Sequence, residues 1–136
     1  FGSGCAGGTG DVELRVLGSL QPGSVLTTQS IGHTPTGSII GGVGALAIGL
    51  SRTSYNGQSL PLLLDPLIGT QGCYLYTDSV ATMLGVKYGT SPVMIRFSIP
   101  LPTGLPPATL HLQHLGFDSV PGGLSTSNGV TIRIMD

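Results

Sequence analysis

Along residues 11–17 apolar and polar side chains alternate strictly, with Val12, Leu14 and Val16 on one side and Asp11, Glu13 and Arg15 on the other. A period of two is that of a β-strand with one dry and one wet face. The same alternation over 91–100 sets Val93, Ile95, Phe97 and Ile99 inward and Met94, Arg96 and Ser98 outward, and Val130, Ile132 and Ile134 share a face over 130–134. Further strands are predicted at 24–31, after the turn signal Gln21-Pro22-Gly23, and at 45–53, ahead of Tyr55-Asn56-Gly57. Two more fall at 60–64 and 73–77, separated by Asp65-Pro66 and a Gly-containing loop, and another at 108–117, after the Pro-rich bend 101–107. Segment 79–86 is the one place where a short helical turn fits. About eight short strands with regularly spaced turns predict an all-β fold, a single antiparallel β-sandwich or jelly-roll-like domain. No repeat or linker divides residues 1–136.

Composition sharpens this picture. Only 8% of the chain is charged, against about 25% in an ordinary soluble domain. A net charge of −1 leaves little repulsion between copies. Such a chain packs its surface against something or works outside the cell. There is no Trp and aromatics are 5%, so the core must be built from aliphatic side chains. Five Lys and Arg residues form no basic stripe, which argues against a nucleic-acid partner and a polybasic membrane anchor. The longest apolar stretch, Ile39 to Leu50, covers 12 residues, too few to cross a bilayer as a helix. The opening Phe1-Gly2-Ser3-Gly4 is compatible with the mature end of an exported protein, and equally with a boundary cut from something longer.

The two cysteines, Cys5 and Cys73, are too far apart for CxxC chemistry and lack convergent histidines for zinc. They are either one disulfide, which would imply an oxidising compartment, or two separate buried thiols.

Candidate chemistry is thin. Gly42-Val43-Gly44-Ala45-Leu46-Ala47 has the loose dinucleotide spacing GxGxxA, with Asp65 about 20 residues on. No strand precedes it and a strand, not a helix, follows, so the pattern carries no site; Gly2 to Gly7 is weaker still. His111 and His114, three apart on a strand, point to opposite faces and cannot share a metal, and His33 is remote in sequence. Without carboxylate neighbours these histidines are not expected to form a pH switch. Asp65, Asp78, Asp118 and Asp136 sit in or near loops. They are candidates for Ca²⁺, although no D-x-D-x-D spacing occurs and turn capping is the plainer role. Asp11 and Glu13 beside Arg15 make a solvated face, and no GxSxG elbow exists, so an enzyme is not expected. Tyr74 and Tyr76 share a strand face and are the candidate binding residues for a glycan or a surface protein. Edge strands have few charged guards, Lys87 being the only lysine, which points to self-association. The leader 1–10 and the end strand 130–136 are segments that could reach a neighbouring copy.

Five stretches carry a resemblance. Phe1-Gly2-Ser3-Gly4-Cys5-Ala6-Gly7, then Gly72-Cys73, then Leu110-His111-Leu112-Gln113, Leu115-Gly116-Phe117-Asp118 and Leu124-Ser125-Thr126-Ser127-Asn128-Gly129 with Val130-Thr131-Ile132 follow one another in order. They resemble the FGxGCxG start, mid-domain PGC element and LxLQ…D…SNGL signature of small secreted modules in exported planctomycete-type bacterial proteins. Gln71 replaces the usual proline, and His111 and His114 stand where aromatic or small residues are usual. The resemblance implies export, a β-sandwich and a Cys5–Cys73 bridge, but no reaction. The expectation is a non-enzymatic structural subunit of an extracellular filament or surface layer, its partner another copy of itself. The alternative is a monomeric adhesion module. No cofactor is expected beyond the Ca²⁺ candidate.

Overall fold

Long strands form where side chains alternate, and two-residue ladders join further short segments. The computed structural model describes residues 1–6, 12–33, 42–64, 72–86, 93–117 and 124–135. Within them the strands are β1 (Cys5–Ala6), β2 (Glu13–Gly18), β3 (Val25–Ile31), β4 (Val43–Gly49), β5 (Ser54–Tyr55), β6 (Gln58–Ser59) and β7 (Leu62–Leu63). They continue with β8 (Tyr74–Leu75), β9 (Ala81–Val86), β10 (Met94–Pro100), β11 (Ala108–Phe117), β12 (Ser125–Thr126) and β13 (Val130–Ile134). Every pairing is antiparallel, and the fold is all-β, as the alternation predicts.

The larger sheet runs β1-β12-β11-β4-β9, with β13 also paired to β11, and the smaller runs β10-β3-β2. Between them lies the main core: Leu14, Leu26, Ile95, Phe97 and Leu101 from one side, Leu46, Leu112, Ile132 and Ile134 from the other. Pairing register puts Gly116, Gly44 and Gly85 in one row across β11, β4 and β9. A Cβ at Gly44 would come within 3.0 Å of Ile95, and one at Gly85 within 3.0 Å of Phe97. The glycine row therefore lets the smaller sheet settle close at this end. A second core of Cys5, Leu64, Cys73 and Leu124, joined by Leu75 and Leu115, lies on the outer face of β11.

Three expectations fare differently in the fold. Segment 79–86 is not a helical turn but strand β9, with Met83 half-buried and Leu84 and Val86 exposed. The ladder to β4 satisfies the backbone groups on one side of it, and Gly85 suits a close sheet contact better than a helix interior. The strand predicted over 45–53 starts two residues earlier and ends at Gly49, where a side chain would collide with Thr77 and Asp78. The Asn56-Gly57 turn joins β5 to β6, and both residues have positive φ, 50° and 80°, as a type I′ hairpin turn requires. Asp11, Asp65, Lys87, Asp118 and Asp136 lie outside the described residues.

Candidate functional site

Three features stand out above the scaffold: a polar chain between the sheets, an aromatic clasp on the outer face, and the free edge of the larger sheet.

Period two places His114 on the same face of β11 as Leu110 and Leu112, so it points into the core, where it is fully buried. Across from it, the central strand β3 presents Thr28 and Ser30, also fully buried. Thr28 Oγ1 lies 2.8 Å from His114 Nε2, and Ser30 Oγ lies 2.7 Å from His114 Nδ1. Ser30 Oγ is also 2.6 Å from His33 Nε2, and His33 Nδ1 is 2.7 Å from Ser125 Oγ on β12. Burial, with a smaller contribution from the neighbouring His33, lowers the pKa of His114 to about 3, so its imidazole is neutral. The sequence separates these residues widely. The available signal was the run of polar side chains at inward positions of β3 and β11, each of which demands a partner once buried.

His111 points the other way, as expected, and bonds Thr131 Oγ1 at 2.9 Å through Nδ1. Burial and the Arg52 guanidinium lower its pKa, and the Asp78 carboxylate opposes them. Phe1 meets His111 edge-on at 5.9 Å and Tyr76 at 6.2 Å, and Arg52 stands 5.2 Å over the Phe1 ring. Tyr74 and Tyr76 do lie together, with ring centroids 6.1 Å apart. Both are half-buried, however, and Tyr76 grips the N-terminal segment: its hydroxyl donates to Ser3 O at 2.8 Å and accepts from Ser3 N at 2.9 Å. Its ring covers Gly2 so closely that a Cβ there would overlap it. Tyr76 acts as a clasp for residues 1–3, with Tyr74 packed beside it.

The motif residues also work as staples. Gln113, fully buried, accepts from Tyr76 N through Oε1 at 2.9 Å and donates through Nε2 to Tyr74 O and Ser127 O at 2.8 and 3.0 Å. Ser127 Oγ accepts from His114 N, Asn128 Oδ1 accepts from Leu14 N, and Gly129 exchanges two backbone hydrogen bonds with Phe1. Composition and spacing did not reveal these roles. Cys5 and Cys73 are joined as a disulfide in the outer core. Asp78 ties its segment to the end of β4, accepting from Ser51 N at 2.8 Å across 27 positions. Glu13 and Arg15 form an exposed ion pair at 3.2 Å. Val43 to Ala47 of the Gly42–Ala47 pattern lie within strand β4, without the helix a pyrophosphate would need. Among the described residues no group of three or more His, Cys, Asp or Glu side chains stands together, and no helix is long and apolar enough to cross a membrane.

The third feature is β9. No strand among the described residues pairs with its far side. Leu84 and Val86 are 73% and 63% exposed, and register aligns Val86 with the exposed Val43 and Phe117 on the same outer face. The other long edge strands each carry charge: Glu13 and Arg15 on β2, Arg96 on β10, Arg133 on β13. β9 carries none.

No family model, curated protein or solved structure matches this chain.

Proposed function

We propose that this protein is an exported, non-enzymatic structural subunit whose copies join through the edge of the larger sheet. The observation that carries the reading is β9, a six-residue edge strand with no charged side chain and with Leu84 and Val86 as large exposed aliphatic ones. Sheet edges that stay apart are usually guarded by charge, proline or a bulge, and an unguarded edge pairs with another strand. Strand direction alternates across β13, β11, β4 and β9. A second copy in the same orientation therefore offers β13, which carries the single charge of Arg133, antiparallel to the uncharged β9, and head-to-tail addition without a closing rotation builds an open polymer. A filament or layer follows. The disulfide fits the oxidising compartment that export requires. Ser30 and Ser125 have imidazole partners, as a hydrolytic nucleophile would, but both are fully buried. Glycan binding at Tyr74 and Tyr76 is the competing reading, and the engagement of the Tyr76 hydroxyl with Ser3 weighs against it.

Two lysine variants test the proposal by light scattering, with thermal unfolding as the control for folding. Leu84→Lys on β9 and Thr131→Lys on β13 both place charge at exposed positions. Each is expected to stay monomeric at concentrations where the parent protein polymerises, with its unfolding temperature within a few degrees. Mixed together they should form dimers and stop, because each retains one competent edge. Parent-like polymers from either variant would contradict the head-to-tail pairing. Retention of a glycan by a monomeric parent, lost in Tyr74→Ala, would favour the competing reading.

A further inference from the structure

Two imidazoles and three hydroxyls meet between the sheets in one chain, Thr28–His114–Ser30–His33–Ser125, with four hydrogen bonds of 2.6 to 2.8 Å. All five side chains are at most 2% exposed. The chain ties β3 of the smaller sheet to β11 and β12 of the larger one, where apolar contacts would otherwise join them. A neutral imidazole has one N–H and one acceptor nitrogen, and the Ser30 hydroxyl has a single proton. If all four bonds form and the Ser30 proton is used in one of them, only two arrangements exist, with all donors pointing toward Thr28 or all toward Ser125. The residues are thus coupled, and a disturbance at one imidazole is felt along the whole chain.

We propose that this chain is an acid-sensitive latch between the two sheets. The surroundings of His114 offer a proton's charge no counterion among the described residues. β3 presents only the Thr28 and Ser30 hydroxyls, and β10 presents the Phe97 ring, edge-on at 5.4 Å. Leu46 of β4 and Met83 of β9 fill the same row, and the one titratable neighbour acting on it is His33, itself a base. His111 faces the opposite side of β11. A charge placed there is desolvated and unpaired, the costly case. Carboxylate neighbours, whose absence argued against a switch in the sequence, are not needed, because burial alone sets the sensitivity.

The sign follows from linkage. The folded-state pKa of His114 is about 3, below the 6.5 of the unfolded chain. Between those values the unfolded state binds more protons, so the stabilisation is complete above about pH 6.5 and is lost as pH falls toward 3. From pH 7 to pH 5 the unfolding equilibrium constant should rise roughly 20-fold through His114 alone. Denaturant unfolding at pH 7, 6 and 5 reads this, beside ¹⁵N chemical shifts of the histidine rings. The expected result is a falling midpoint with His114 still neutral in the folded protein at pH 5, and a shallower pH dependence in His114→Gln. Should that variant not fold, the ring shifts and midpoints of the parent protein decide. A midpoint unchanged from pH 7 to pH 5, or a charged His114 in the folded protein at pH 6, would overturn the latch. Neither outcome depends on whether copies assemble.

Discussion

Replacing both Cys5 and Cys73 by alanine is expected to cost roughly 4 kcal/mol of stability and to lower the unfolding temperature by roughly 10–15 °C. The bridge spans 68 positions, and a closed loop of that length removes much of the freedom of the unfolded chain. Its folded setting adds to the effect. Both half-cystines lie in the outer core with Leu64 and Leu124, a cluster far smaller than the core between the sheets. Among the described residues, the Gln113 amide and the packing of Leu75 and Leu115 also hold β8 against β11, and β1 is laddered to β12. Differential scanning calorimetry of the variant, and of the parent with and without reductant, checks the expectation. A loss under 1 kcal/mol would mean that the outer layer holds itself together without the bridge.

Gln113→Leu is expected to cost about 3–5 kcal/mol, although leucine has nearly the right volume for the site. The change deletes no exposed group and adds no bulk. It strands Tyr76 N–H and the carbonyls of Tyr74 and Ser127, which the Gln113 amide satisfies. Each unsatisfied group left in a buried site costs about 1–3 kcal/mol. Denaturant unfolding measures the loss, and hydrogen exchange locates it, since the amide of Tyr76 should lose protection before those of β3 and β10. A variant as stable as the parent would show that the segment carrying Tyr74 and Tyr76 finds other partners.

Much of the sandwich was legible because alternation is a local property. Val12, Leu14 and Val16, or Ile95, Phe97 and Ile99, identify their strands without knowledge of the neighbours. β9 was not legible in this way. Ala81 to Val86 mixes small and apolar residues without a clean polar alternate, and its strand character comes from pairing with β4. The opposed directions of His111 and His114 followed from strand geometry, whereas the meeting of His114 with His33 through Ser30 is a property of the folded chain alone. The polar inward positions of β3 held the hint. Thr28 and Ser30 continue the face begun by Leu26, and a hydroxyl at such a position must bond something. Tyr74 and Tyr76 were rightly placed side by side. What the sequence could not convey is that Tyr76 is occupied by Ser3, seventy-three positions away.

The edge of β9 joins these threads. An uncharged edge strand that no other strand among the described residues covers, on a chain of net charge −1, is a feature that most freely diffusing proteins avoid. Electron microscopy of unconcentrated protein, with light scattering across a dilution series, tests self-assembly most directly. Regular polymers that persist on dilution are the predicted result. A uniform monomer at every concentration would contradict it.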